Sequence, residues 1–103
     1  MFDELVFEWD TEKSHANQEK HGVRFEAARQ IFKDPFRMER EDVDSGGAEE
    51  RWQTMGLYND VLFVVYTERA GTVRIISARV AEPFERRIYH GGGEIHGWRR
   101  AYP

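Results

Sequence analysis

The stretch Val61 to Arg79, VLFVVYTERAGTVRIISAR, concentrates aliphatic residues and constrains the fold more than any other segment. From Val61 to Tyr66 both alternating sets, Leu62/Val64/Tyr66 and Phe63/Val65, are apolar. A strand built from them needs cover on both faces, which makes it a central strand. Ala70-Gly71 then supplies a turn with a residue free to take positive φ, and Val73 to Ala78 resumes the β-branched pattern. Arg74, Ser77 and Arg79 interrupt this second apolar run, so one end of the hairpin carries guanidinium groups out of the core towards something polar.

A chain of 103 residues, 40% of them hydrophobic, forms one domain with one modest core. Having no cysteine, it has no disulfide framework, no thiolate zinc site and no thiol nucleophile, which fits a reducing compartment. The opening Met1-Phe2-Asp3-Glu4-Leu5 lacks a basic n-region, and no window reaches the apolar length of a membrane span. The expectation is a soluble, cytoplasmic protein with no membrane partner. The net charge of -4 argues against a general nucleic-acid binder, but its distribution is uneven. Residues 1–68 hold eight Lys/Arg against sixteen Asp/Glu, whereas residues 69–103 hold seven Arg against three Glu. Arginine matches phosphate or carboxylate bidentately, so this basic third suits an RNA backbone or an acidic partner.

In chain order, Leu5 to Trp9 is a short β-type run and Asp10 an N-cap for a helix over Thr11 to His21, ended by Gly22. Asp10, Lys13, Asn17, Lys20 and His21 form one polar stripe on that helix, with Lys20 and His21 in the last turn, where cations are favoured. The plain expectation is a solvated helix over the sheet edge; the sharper one points Lys20 and His21 into a cleft. Phe25, Ala28, Ile31 and Phe32 have the spacing of a second, core-facing helix that stops before Asp34-Pro35. Phe36 to Val43 alternates weakly, and Asp44 to Ala48 reads as a flexible loop. Strands over 50–58, 61–68 and 72–80 form an antiparallel meander, because their connections are too short for parallel crossovers. Glu82-Pro83 starts a last helix, anchored to the sheet by Phe84 and Ile88, with Arg86, Arg87 and Tyr89 facing elsewhere. The fold class is α+β: a single domain over 1–90 with about four antiparallel strands, two N-terminal helices and one C-terminal helix. Residues 91–103, glycine-rich with aromatics, read as a mobile tail.

The residues exclude several chemistries. His90 and His96 are separated by three glycines, and His15 and His21 lie on different helix faces, so no metal signature stands up. Gly91-Gly92-Gly93 lacks the strand, lysine and Ser/Thr of a phosphate loop, and no serine sits in a nucleophile elbow. No cofactor is implied. What remains is His21 and Lys20, the arginines 51, 74, 79, 86 and 87, Tyr89, and Glu50 as a base. Metal-free RNA cleavage needs only such groups: a base for the 2′-hydroxyl, cations for the phosphorane and an acid for the departing 5′-oxygen. Histidine, with an unperturbed pKa of ~6.5, suits the acid or base role. Each residue also has a structural use. Asp10 is a cap, Trp9 core, Asn17 a partner for backbone groups between the helices, and Glu85 a local partner for an arginine.

The motifs Phe7-Glu8-Trp9-Asp10, Lys13, Asn17, Lys20-His21-Gly22-Val23, Phe25, Ala28, Phe32 and Asp34-Pro35 resemble the opening of the BrnT family of type II toxins. Later matches keep the order: Glu50-Arg51, Gly56, Val64 to Thr67, Arg74 to Arg79, and Glu85-Arg86 with Tyr89. The resemblance implies a RelE-like ribonuclease that inhibits translation, restrained by a BrnA-like antitoxin with a ribbon-helix-helix DNA-binding part. Operator DNA would then be met only through that antitoxin, and the assembly would be a dimer or a heterotetramer with it. Carried over by position, the matching polar residues are Lys20, His21, Glu50, Arg51, Arg79, Arg86 and Tyr89. The roles expected from their chemistry are His21 as acid/base, Lys20, Arg79 and Arg86 as phosphate and transition-state ligands, and Tyr89 as a positioning or stacking group. Arg51 and Glu50, with Arg74 and Arg87 from the cationic set above, are expected to bind substrate. Where the family places Thr or Ser at the start of the last helix this chain has Glu82-Pro83, and its net charge is acidic. The competing expectation is an interaction module that binds the antitoxin and retains little nuclease activity.

Overall fold

The computed structural model describes residues 5–43 and 49–102. The loop expected at Asp44 to Ala48 lies outside them. Ten elements follow in order: β1 (Val6–Glu8), α1 (Thr11–His21), α2 (Phe25–Ala28) continued by a 3-10 segment (Arg29–Lys33), β2 (Met38–Glu41), β3 (Trp52–Tyr58), β4 (Asp60–Arg69), β5 (Thr72–Val80), α3 (Pro83–Gly91) and β6 (Arg99–Arg100). One sheet runs β1-β5-β4-β3-β2-β6. The meander β3-β4-β5 is antiparallel as expected, but β1 pairs with β5 in parallel, so the sheet is mixed and six-stranded where four antiparallel strands were expected. The chain can enter β5's edge in parallel because the α1 and α2 segments and three further strands intervene before β5 is made.

The sheet has a core on each face. On one, Phe25, Ala28, Ile31 and Phe32 pack on Leu62, Val64, Tyr66, Val73, Ile75 and Ala78. On the other, Ala81 and Tyr89 join Met38, Met55, Val61, Phe63 and Trp98. The two-faced apolar run of β4 thus serves both. Gly56 is buried where β3 passes the 3-10 segment; a Cβ there would stand 2.6 Å from Ile31 Cβ, so only glycine permits that approach.

α1 is as its sequence dictates: the Asp10 carboxylate accepts from the Glu12 and Lys13 amides at 2.9 and 3.2 Å, and Gly22 closes the helix at φ 73°. Its contact with the sheet is polar. Buried Asn17 donates to Val23 O (2.9 Å) and Ala78 O (2.7 Å) and accepts from the Ala78 amide (3.1 Å). One side-chain amide thus stands in for a neighbouring strand along the edge of β5 that β1 leaves uncovered. Asn17 thus serves backbone groups between the helices as expected, and the solvated-helix expectation fails at buried Ser14.

Two expectations at the C-terminal end are corrected. Phe84 is half exposed at 51%, and Glu85 and Tyr89 are the buried residues of α3. The helix is rotated to bring the Glu85 carboxylate onto Arg79, a polar contact that apolar spacing does not register. The segment read as a mobile tail instead packs: β6 pairs with β2, the Ala101 amide donates to Arg37 O (2.8 Å), and Trp98 is 2% exposed against Phe63. Trp98 and the outer edge of β2 have apolar surface and unpaired backbone to cover, and each covers the other. Among the described residues no helix is long and apolar enough to cross a membrane.

Candidate functional site

Arg74 and Arg79 lie five residues apart on β5, a spacing that in a regular strand would put them on opposite faces. They share one face because the register shifts between Val65 and Tyr66: Val65 pairs with Ser77 but Tyr66 with Ile75, leaving Ile76 without an opposite residue. Val73, Ile75 and Ala78 consequently face α1 and α2, while Arg74, Ser77 and Arg79 face the other way. The bulge is where β1 ends and α1 begins.

Around it lies a polar cavity of about 200 Å³ lined by Asp10, Lys13, Glu49, Arg51, Thr67, Arg69, Arg74, Ile75 and Ile76. Arg69 bonds Glu49 at 2.6 Å, which holds the Glu49 carboxyl below its usual value. Arg74 stands 3.7 Å from Glu8, beyond hydrogen-bond range. The Arg51 Nε is buried with no hydrogen-bond partner among the described residues. The Thr67 hydroxyl donates to Glu50 O at 2.6 Å and ties the segment before β3 to β4. Two of the expected substrate-binding residues, Arg51 and Arg74, are thus brought together, and Lys13 and Arg69 join them. Lys13 was legible as part of the α1 stripe and of the family motif, though not as a site residue; Arg69 gave no signal beyond its charge.

The remaining expected site residues are placed apart. Arg79 makes a bidentate pair with Glu85 (2.8 and 2.9 Å) and lies 4.2 Å over the Phe63 ring. Arg86 donates to Ala81 O at 2.9 Å. The Tyr89 hydroxyl donates to Asp34, whose carboxylate also accepts from the Phe36 and Leu57 amides. Burial first, and then that carboxylate, push the Tyr89 phenol far above its usual value, so it stays protonated. Lys20 and His21 are exposed at the far end of α1, two turns beyond Lys13 and ~12 Å along the helix axis. Arg87 lines an open groove of about 510 Å³ with Phe84, Ile88 and Ile95, and Glu50 is exposed. Among the described residues no group of three or more His, Cys, Asp or Glu is placed to hold a metal ion.

Three helices on a mixed six-stranded sheet, with Arg74 and Arg79 on one face of β5, define a small α+β protein with cations built into its main hairpin. The family model for the ribonuclease toxin BrnT of type II toxin–antitoxin systems matches residues 9–85, and the chain belongs to that family. Its members are ribonuclease toxins, which implies an RNA substrate and an antitoxin partner. The fold is similar to the crystal structure of the ribonuclease toxin BrnT from Brucella abortus, with a TM-score of 0.56 and 23% identity over 76% of this chain and 97% of that one. No curated protein matches the sequence. The family match ends at Glu85, so β6 and most of α3 lie outside it.

Proposed function

We propose that the protein is a metal-independent endoribonuclease with a RelE-like architecture that arrests translation until a ribbon-helix-helix antitoxin binds it. The observation that carries this reading is the bulge at Ile76, which aligns Arg74 with Arg79 on the face of the sheet away from α1 and α2. Cleavage would proceed by loss of the 2′-hydroxyl proton to a base, formation of the O2′–P bond and rupture of the P–O5′ bond. A protonated group gives its proton to the departing 5′-oxygen, leaving a 2′,3′-cyclic phosphate and a 5′-hydroxyl. His21, exposed and beside Lys20, takes the acid/base role. Arg79 and Arg86 stabilise charge on the phosphorane, Arg79 exchanging one carboxylate oxygen of Glu85 for phosphate. Tyr89 acts through Asp34 to seat α3. Arg87 and Glu50 contact RNA further out.

The test is incubation of the purified chain with a defined RNA in the presence of chelator, beside His21→Ala. His21 is exposed, so its loss leaves the fold intact. Cyclic phosphate ends formed by the parent and suppressed by the variant are expected; intact RNA from folded parent protein would sink the reading.

One observation favours the interaction-module reading. Phe84 and Ile95 are 51% and 47% exposed in the groove beside α3, an apolar surface suited to a partner. Such a module would leave RNA intact and a host without antitoxin growing normally on expression.

A further inference from the structure

We infer that the cavity formed by Lys13, Arg51, Arg69 and Arg74 binds one backbone phosphate of an RNA strand. The inference rests on the ribonuclease reading for the identity of the ligand, but its geometry stands independently. Four cations face the Asp10 and Glu49 carboxylates there, with Glu8 alongside Arg74 as a third. The Asp10 carboxylate accepts from the first-turn amides of α1, Glu49 bonds Arg69 and Glu8 stands 3.7 Å from Arg74. Three carboxylates thus face four cations, and the hydrogen bonds of the two lining the cavity go to groups other than Lys13, Arg51 and Arg74. The buried Arg51 Nε has no acceptor among the described residues. A buried guanidinium N–H without an acceptor is costly, and an anion in the cavity supplies one.

Size narrows the ligand. The cavity, about 200 Å³, falls below the ~300–1,000 Å³ of pockets that enclose drug-sized molecules. Its small size and charged lining suit a phosphate group. An arginine fork and a lysine point charge together match a tetrahedral dianion or a phosphodiester. The Ile76 bulge is what turns Arg74 towards this cavity, and it also carries Arg79 to the same face. A strand held at the cavity by one phosphate can therefore run along β5 towards Arg79.

The test measures binding of a fully 2′-O-methylated, and so uncleavable, single-stranded RNA by fluorescence anisotropy across a salt series. Parent protein is compared with Arg51→Ala, Arg74→Ala, Arg74→Lys and, as a control at an exposed position outside the cavity, Arg24→Ala. All are checked for folding by circular dichroism. Loss of one charge-assisted contact predicts ~10-fold weaker binding for each alanine variant in the cavity. The slope of log affinity against log salt should also be shallower by ~0.7, the value for one phosphate on a single strand. Arg74→Lys should restore the slope, and Arg24→Ala should leave both quantities unchanged. Unaltered affinity and slope in both cavity variants would overturn the inference, even if the parent cleaves RNA. Binding that depends on the cavity, in a protein that cleaves nothing, would uphold it while the ribonuclease reading falls. A third arm titrates inorganic phosphate alone against the Arg51 Nε–H resonance. Saturation by phosphate that leaves RNA affinity untouched would make the cavity a free-phosphate site and overturn the inference as well.

Discussion

The Glu85 carboxylate, 5% exposed on α3, accepts both terminal nitrogens of Arg79 and, at 2.7 Å, the amide of Glu82. One side chain thus closes the first turn of the helix and fixes how the helix is rotated on the sheet. Glu85→Ala removes the cap bond and leaves the partly exposed Arg79 guanidinium unpaired. The expected cost is about 2–3 kcal/mol, less than for a fully buried pair because Arg79 is open to solvent. For a domain of this size that lowers Tm by on the order of 10 °C, measurable by calorimetry.

The same residue gives a pH dependence. Burial works to raise the Glu85 carboxyl, but the bonds from Arg79 and the Glu82 amide outweigh it and hold it below the usual glutamate range. A carboxyl lowered on folding contributes stability that is complete above its unfolded value, ~4.3, and is lost as pH falls through the lower folded value. Urea titrations from neutral pH downwards should show stability declining below that point. The decline should be shallower in Glu85→Gln.

Tyr89→Phe keeps the ring under Arg100 and deletes only the hydroxyl that donates to Asp34. Asp34 retains its bonds from the Phe36 and Leu57 amides, so the loss is one charge-assisted hydrogen bond, about 1.5 kcal/mol. The urea midpoint should fall accordingly while KM for RNA stays within about twofold of the parent, a direct contact losing far more. A large rise in KM with unchanged stability would place the hydroxyl on substrate instead.

Asn17→Ala strands the Ala78 amide, the Ala78 carbonyl and the Val23 carbonyl, all buried beneath α1. About 2–4 kcal/mol of stability should be lost. Asn17→Asp should cost more, because a carboxylate then faces two carbonyl oxygens with no proton to give. The comparison of the two variants by denaturant unfolding separates a hydrogen-bonding role from a packing role.

Trp98→Ala empties the space between Phe63 and Arg40, whose guanidinium lies 4.7 Å over the indole. A loss of about 3–5 kcal/mol is expected, typical of a buried tryptophan. A tail that merely drapes over the domain would show almost none, and thermal melts distinguish the two.

Several of these relationships were written locally and several were not. Asp10, the polar stripe of α1 and Gly22 dictate that helix to the residue, because a cap and a left-handed terminus need only neighbours within a turn. The two-faced run Leu62 to Tyr66 likewise determined the central strand, and Ala70-Gly71 the turn after it. The grouping of Arg51 and Arg74, expected only as substrate-binding residues, depended on longer-range events. Residue spacing alone puts Arg74 and Arg79 on opposite faces; the bulge that reverses this forms where β1 stops, α1 turns away and two strands of unequal count must stay paired. The rotation of α3 followed an ion pair over apolar spacing that favoured Phe84. Trp98 found its place because the β2 edge and the Phe63 face were both left open by the rest of the fold. Sequence by itself determined the elements, whose hydrogen bonds close within a few residues. Which side chains meet across them was decided by tertiary structure, since register, helix rotation and edge cover are set by partners far away in the chain.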